Sequence, residues 1–212
     1  MKNKILWTIV AAVAVTPAFA QKWEFGAAAG GGFYTSQTVT SPAGTADAKF
    51  VTGIAGSAWV ANNGESRLGG ELRYDFQMGD MRLSAGGTNV NFGAQTHAIH
   101  YDFLYQPGSS ESRVRPFLAG GAGIKVYRGT GAEMAYQPLE NIALLTKTQD
   151  LKPLISAGAG IRFRMTHALS LRVEVHDYLT PFPKQVIAPA LNGKVGGWLQ
   201  DIVPTVGISY LF

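Results

Sequence analysis

The residues best suited to acid–base or metal chemistry in this sequence are its four histidines. His97 and His100 fall in one predicted strand, where an odd spacing puts them on opposite faces. His167 lies in a short turn, and His176 shares a strand face with Glu174. Neither arrangement predicts a chelating set. We therefore expect no metal site and no cofactor.

Ser170 follows His167 by three residues, which could suggest a nucleophile with its base. No acidic residue stands at a recognisable interval to orient that histidine. The glycine-rich segment 120–123 lacks the Lys-Ser/Thr pair of a phosphate loop and is interpreted as strand packing. We expect no catalytic residues and no enzymatic activity; a lipid-modifying barrel enzyme, either a hydrolase or an acyltransferase, is the alternative.

Eight segments have the composition of β-strands, and several alternate apolar and polar residues with a period of two. The third is the clearest, because Leu72, Tyr74 and Phe76 share one face while Glu71 and Arg73 lie on the other. The second segment and the start of the fourth are ambiguous in phase. The predicted strands are residues 22–33, 49–60, 67–78, 89–105, 114–127, 151–165, 169–179 and 200–212.

The connections between these strands alternate in length. Residues 34–48, 79–88, 128–150 and 180–199 form long connections, while residues 61–66, 106–113 and 166–168 form short ones. Outer-membrane barrels have short periplasmic turns and longer external loops. The sequence therefore predicts an all-β fold, an eight-stranded antiparallel up-and-down transmembrane β-barrel, as one domain over residues 21–212.

The first 20 residues have the features of a cleaved signal peptide. Lys2 and Lys4 precede an apolar run, and Ala18-Phe19-Ala20 fits a cleavage site after Ala20. Removing both lysines lowers the formal charge from +4 to +2, with the remaining bases scattered among acids. This pattern does not predict nucleic-acid binding. The chain has no cysteine, so stability must come from the fold itself.

The alternation alone does not say which face is inside, since a soluble lipocalin-like barrel would have the same period. Glycines beside long cations, such as Gly121 and Gly123 beside Lys125, favour a polar lumen. Buried charges persist only when paired, so we expect a lumen closed by a salt-bridge network, with a small-solute channel as the alternative. The predicted network comprises Glu24, Glu71, Arg73, Asp75, Asp102, Arg115, Lys125, Arg162, Arg164, Arg172, Glu174 and Asp201.

The last strand and the long loops carry the remaining expectations. Val206, Ile208, Tyr210 and Phe212 alternate back from an aromatic end, which is typical of a barrel-assembly signal. Pro204 cannot donate to the sheet and is expected near the external rim. The loop 132–150 is apolar enough either to cap the barrel mouth or to meet an extracellular ligand.

Three stretches, Arg115 to Gly123, Leu171 to Tyr178 and Asp201 to Phe212, resemble strands of the OmpA-like outer-membrane β-barrel family. The resemblance covers the barrel domain and no peptidoglycan-binding domain. It implies a location in the Gram-negative outer membrane, contact with outer-membrane lipid, and insertion by the barrel-assembly machinery. It also implies a monomer with a structural or surface-interaction role in a porin-like fold.

Overall fold

The computed structural model describes residues 23–62, 67–109 and 112–212. Within these ranges, no helix is long and apolar enough to cross a membrane. The predicted signal peptide with its cleavage after Ala20 lies outside the described residues, and so do residues 63–66 of the predicted short connection 61–66. The strands are β1 (Trp23–Tyr34), β2 (Gln37–Ser41), β3 (Gly44–Phe50), β4 (Gly53–Asn62), β5 (Leu68–Ala85), β6 (Thr88–Tyr105), β7 (Val114–Gly129), β8 (Ala143–Leu145), β9 (Gln149–Arg164), β10 (Leu169–Pro181), β11 (Ile187–Pro189) and β12 (Trp198–Leu211).

Eight of these strands close into a barrel in the order β1, β4, β5, β6, β7, β9, β10 and β12. Each is antiparallel to its neighbours, and β12 pairs back with β1, for example at Phe25 and Tyr210. This confirms the predicted eight-stranded antiparallel up-and-down barrel. We call the end with the long connections the loop end, and the end with Trp23 and Phe212 the turn end.

The predicted second strand, residues 49–60, is divided between two strands in the structure. β3 ends at Phe50 and β4 begins at Gly53. A Cβ at Gly53 would lie 1.8 Å from the carbonyl oxygen of Met78, so only glycine allows this approach to β5. On the side of Gly53 where the long connections lie, β3 pairs with the part of β5 that approaches the β5–β6 turn, with Lys49 opposite Arg82.

The predicted long connection at residues 79–88 is instead mostly a hairpin. The ladder between β5 and β6 continues to the pair Ala85 and Thr88. Gly86 and Gly87 form the turn with φ values of +54° and +83°. Two-residue hairpin turns of this kind need positive φ at both central positions, which explains the two glycines.

The structure also settles the two phases that the sequence left ambiguous. On β4, Ala55, Ser57 and Trp59 are buried in the lumen, whereas Ile54 is 75% exposed on the outer face. Near the start of β6, Phe92 is buried. The rest of the inward row of β6 follows the same parity.

A second packing unit fills the loop end. One apolar cluster lies there. It is formed by the β2–β3 hairpin, by the loop-end parts of β5 and β6, and by the loops on either side of the β8–β11 pair. Leu145, Ile187 and Leu199 are fully buried in it, together with Val39 and Met81. The loops therefore form a conventional hydrophobic core over the barrel mouth.

Pro204 lies in the middle of β12 and not near the rim, which corrects the prediction from sequence. It pairs with Val175 of β10 on one side. On the other side, the ladder with β1 runs to Gly30 and Thr205 and resumes at Phe33 and Ile202. The missing N–H of proline thus falls at the seam that closes the barrel.

Gly30 is required at this seam, because a Cβ there would lie 1.9 Å from the carbonyl oxygen of Pro204. We expect Gly30→Ala to lower the free energy of unfolding by about 1–3 kcal/mol through overpacking. Urea unfolding of the refolded protein, followed by circular dichroism, measures this change.

Gly56→Ala is the matched control, since its Cβ would have its nearest neighbour at 4.0 Å. We expect that variant to stay within about 0.5 kcal/mol of the parent. Equal unfolding midpoints for the two variants would contradict the close approach at the seam.

Candidate functional site

The strongest concentration of reactive side chains lies inside the barrel. Successive side chains of a strand point to opposite faces, so every second residue of these strands enters the lumen. Of the predicted network, Arg162 is half-buried near the turn end and Arg164 lies at the turn-end rim, where its Nη2 donates to the Ser112 carbonyl. The other members are buried: Glu24, Glu71, Arg73, Asp75, Asp102, Arg115, Lys125, Arg172, Glu174 and Asp201.

The centre of the lumen is a ring of two arginines and two glutamates. Arg73 donates to Glu71 at 2.8 Å and to Glu174 at 2.5 Å. Arg172 lies 2.5 Å from Glu71 and 2.6 Å from Glu174. Each carboxylate therefore meets both guanidinium groups, and the four formal charges cancel.

One aromatic side chain lies against both cations of the central ion-pair ring. The guanidinium carbons of Arg73 and Arg172 lie 4.8 and 4.6 Å from the centroid of the Trp59 ring. Cation–π contact favours this stacking and is strongest where water is excluded. Phe117 lies against Arg172 in the same way, at 4.3 Å. The lumen charges are thus stabilised by pairing and by aromatic faces together.

A histidine links two carboxylates towards the loop end. His100 is within hydrogen-bond distance of Asp75 through Nε2, at 2.9 Å, and of Asp102 through Nδ1, at 3.0 Å. Only an imidazolium donates from both nitrogens, so two carboxylate partners favour the protonated ring. Ser57 and Tyr178 also donate to Asp75, at 2.5 and 2.9 Å.

The next charge pair lies closer to the loop end of the lumen and is surrounded by aromatic rings. Lys125 pairs with Asp201, and Gln77 donates to the same carboxylate at 2.6 Å. The Lys125 ammonium lies 4.8 Å from the Tyr34 ring centroid and 5.5 Å from that of Tyr127. This pair stands at the level where the charged lumen meets the apolar loop core.

At the turn end, one member of the network, Arg162, is only half-buried. Arg162 pairs with Glu24 at 2.8 Å and donates to Gln106 at 3.2 Å. Arg115 and Arg172 flank Arg162 on the neighbouring strands. The three neighbouring arginines repel one another. The glutamates that face them across the lumen offset this repulsion.

The outer face is an apolar belt that polar side chains interrupt in places. The hydroxyl of Tyr74 lies 2.8 Å from Nδ1 of His97. Asp177 accepts a hydrogen bond from Gln200 at 2.7 Å. Asp177 faces outward with Ile202 opposite it, so not every charged residue of the barrel strands points into the lumen.

The predicted assembly-signal residues all lie on this outer face. Val206, Ile208, Tyr210 and Phe212 are 53%, 61%, 52% and 58% exposed. The Phe212 ring stacks on Phe25, with centroids 5.3 Å apart, and joins the two terminal strands. These side chains form part of the belt.

The arrangement inside the lumen resembles acid–base machinery but is enclosed. His100, Asp75 and Asp102 are at most 3% exposed and bind one another. Ser170 pairs in the sheet with Arg164 and Ser209, while His167 is exposed in the turn.

His100 and the partners of Asp75 were missed by sequence reasoning. The signal for His100 was present, because it stands two residues before Asp102 and therefore shares its inward face. Ser57 and Trp59 lie on the strand whose phase was ambiguous. Tyr178 continues the inward row of Glu174 and His176 and could have been placed by parity.

No protein-family model and no curated protein matches this chain. Solved structures do match it, and the two with TM-scores above 0.5 are outer-membrane β-barrels. Neisserial surface protein A superposes with a TM-score of 0.54 at 11% identity, covering 90% of this chain and 97% of that one. A major outer membrane protein from Thermus thermophilus gives 0.56 at 16%, covering 92% and 100%. At such low sequence identities, the structural similarity shows only that this chain shares the fold.

The prediction of no enzymatic activity, drawn from the missing acidic partner of His167 and Ser170, is wrong as a conclusion, because the matched structures include an enzyme. The outer membrane protease OmpT from Escherichia coli is among the matched structures, with a TM-score of 0.49 and 11% identity. It covers 93% of this chain and 99% of that one. One fold hosts many unrelated functions, so the barrel architecture does not decide whether this chain is an enzyme.

The central ring generates a stability prediction. Glu71→Gln removes a charge that binds both Arg73 and Arg172, which leaves the lumen with excess positive charge. We expect a loss of about 3–5 kcal/mol in the free energy of unfolding, as for other broken buried pairs. Urea titration of the refolded barrel measures it.

Glu133→Gln is the control, because Glu133 is exposed at the loop end. The same change of residue type there should shift the free energy by less than about 0.5 kcal/mol. A Glu71 variant as stable as this control would show that the ring does not support the barrel.

Proposed function

We propose that this chain is an outer-membrane barrel that holds a rigid loop surface outside the membrane, with a structural or surface-interaction role. The observation that carries the proposal is the pairing of an exposed apolar belt with a closed, neutralised lumen. The resemblance to the OmpA-like barrels agrees with this role. Insertion by the barrel-assembly machinery and a monomeric state belong to the same proposal.

The belt supports a location in lipid. Along β9 and the residue after it, the outward apolar residues run from Leu151, at 58% exposure, to Met165, at 62%. A tilted spanning strand needs about 9 to 11 residues, and this run is longer. Aromatic residues such as Trp23 and Tyr210 lie near the turn end, where a ring belongs at the headgroup level. A water-exposed barrel would leave this whole surface unsatisfied.

The lumen supports a structural role over transport. Arg73, Arg172, Lys125, Tyr127 and Tyr178 are among the largest fully buried side chains, and all point inward. An eight-stranded barrel is just wide enough for its side chains to fill. Moving a solute through it would require breaking the central ion pairs.

The loop end supports a contact surface outside the membrane. Its apolar core holds the loops in place, while Met134, Tyr136 and Leu191 stay 49%, 66% and 87% exposed. Rigid loops bind a partner at a lower entropic cost than mobile ones. These side chains are where we expect an extracellular ligand to touch.

Ile208→Arg tests the membrane location, since Ile208 is 61% exposed on the outer face. An arginine facing the hydrocarbon costs about 2–4 kcal/mol at the midplane and less towards the interface. We expect less folded protein to float with lipid vesicles, measured by flotation and heat-dependent gel mobility.

Leu191→Arg is the matched control, because Leu191 is an even more exposed aliphatic residue at the loop end. It should insert as the parent does. Equal insertion of both variants, or parent protein that stays in the soluble fraction, would refute the membrane proposal.

The closed lumen has its own test in planar bilayers. Because the central ring fills the barrel, we expect the inserted protein to give no large stable conductance steps. Arg172→Ala, which shortens one of the two central guanidinium side chains, should raise any residual current. Large stable steps from the parent protein would favour the small-solute channel instead.

A further inference from the structure

A cationic groove lies on the outer surface at the loop end, between β7 and β9. Its volume is about 420 Å³. Five of its six lining residues carry polar side chains, and none of the six is acidic. They are Arg128, Gly129, Thr130, Lys147, Thr148 and Gln149.

The backbone around this groove is fixed by hydrogen bonds. The amide of Gly129 donates to the Thr148 carbonyl at 2.9 Å. The Thr148 and Thr146 hydroxyls donate to the carbonyl of Gln185, at 2.8 and 2.6 Å. A Cβ at Gly129 would lie 2.0 Å from the Thr146 carbonyl oxygen, so glycine permits this close approach. The groove is therefore built before any ligand arrives.

The charge of the groove is positive and accessible. Arg128 and Lys147 are both exposed. The nearest acidic position in sequence, Asp150, is buried and already binds Lys152 at 3.0 Å and the Gln185 amide at 3.0 Å. Asp80 stands two strands away from Arg128, on β5. An anion is the complementary ligand.

The groove begins where the apolar belt ends. Below Arg128 on β7, the outward residues are Val126 and Ile124, and Ile124 is 44% exposed. Beside it on β9, Leu151 follows Gln149 on the outward face and is 58% exposed. A ligand that satisfies both surfaces has an anionic head and an apolar tail.

We propose that this groove binds the phosphate group of a membrane lipid in the leaflet at the loop end. Arg128 and Lys147 contact the phosphate oxygens, and the Thr130 hydroxyl and the Gln149 amide are placed to donate to the headgroup. The acyl chains lie against Ile124 and Leu151. The inference rests on the proposed membrane location and adds a specific lipid contact to it.

Native mass spectrometry of the full barrel from dodecyl maltoside micelles tests the site, because that detergent has no phosphate. The probes are diphosphoryl lipid A, its dephosphorylated form and inorganic phosphate. We expect the parent to bind the diphosphoryl lipid, and Arg128→Gln with Lys147→Gln to weaken binding about 30-fold, as expected for two lost cation contacts. Dephosphorylated lipid should bind the parent as weakly as the phosphorylated lipid binds this variant.

The charge-matched control is Arg82→Gln with Lys194→Gln, two cations elsewhere at the loop end. It should bind within about twofold of the parent, and Arg128→Lys with Lys147→Arg should retain binding. Equal loss in the control, equal binding of the dephosphorylated lipid, or inorganic phosphate binding as tightly as the lipid would each overturn the site. Since the assay uses micelles, its failure is separate from a failure of vesicle flotation.

Discussion

The structure depends on one constraint, which is that charge inside a narrow barrel must be neutralised where it lies. Desolvating an ion is costly, and its partner repays that cost only with good geometry. Here each central glutamate meets two arginines, and the Trp59 ring lies against both guanidinium groups. The registers of the strands that carry these residues are fixed by the same contacts, because a slip of one residue would turn every charge outward.

Two kinds of core follow from this arrangement. In the barrel the polar side chains are inside and the apolar ones outside. At the loop end the apolar side chains are inside, as in a water-soluble domain. Lys125 and Asp201 mark the boundary, with Tyr127 above them in the apolar cluster. The loops fold against the extended β5–β6 hairpin, so their shape is set by the barrel wall.

The sequence predicts the barrel and most inward faces because alternation is a local property. Glu71 and Arg73 could be placed without knowing any partner. The phase of β4 could not, since small residues such as Ala55 and Gly56 are compatible with either face. Asp177 faces outward by the same alternation, but its hydrogen bond to Gln200 and the position of Pro204 depend on the pairing of two distant strands. Such features require the register of the whole sheet.

The position of Trp59 makes the lumen visible to spectroscopy without a label. The chain has four tryptophans, of which Trp7 is in the predicted leader. Trp23 and Trp198 are 40% and 52% exposed, while Trp59 is 2% exposed and lies against two guanidinium groups. Brominated lipids would quench the emission of outward indoles that reach the acyl chains and spare the inner one. The residual emission spectrum then reports the electric field of the ion-pair ring.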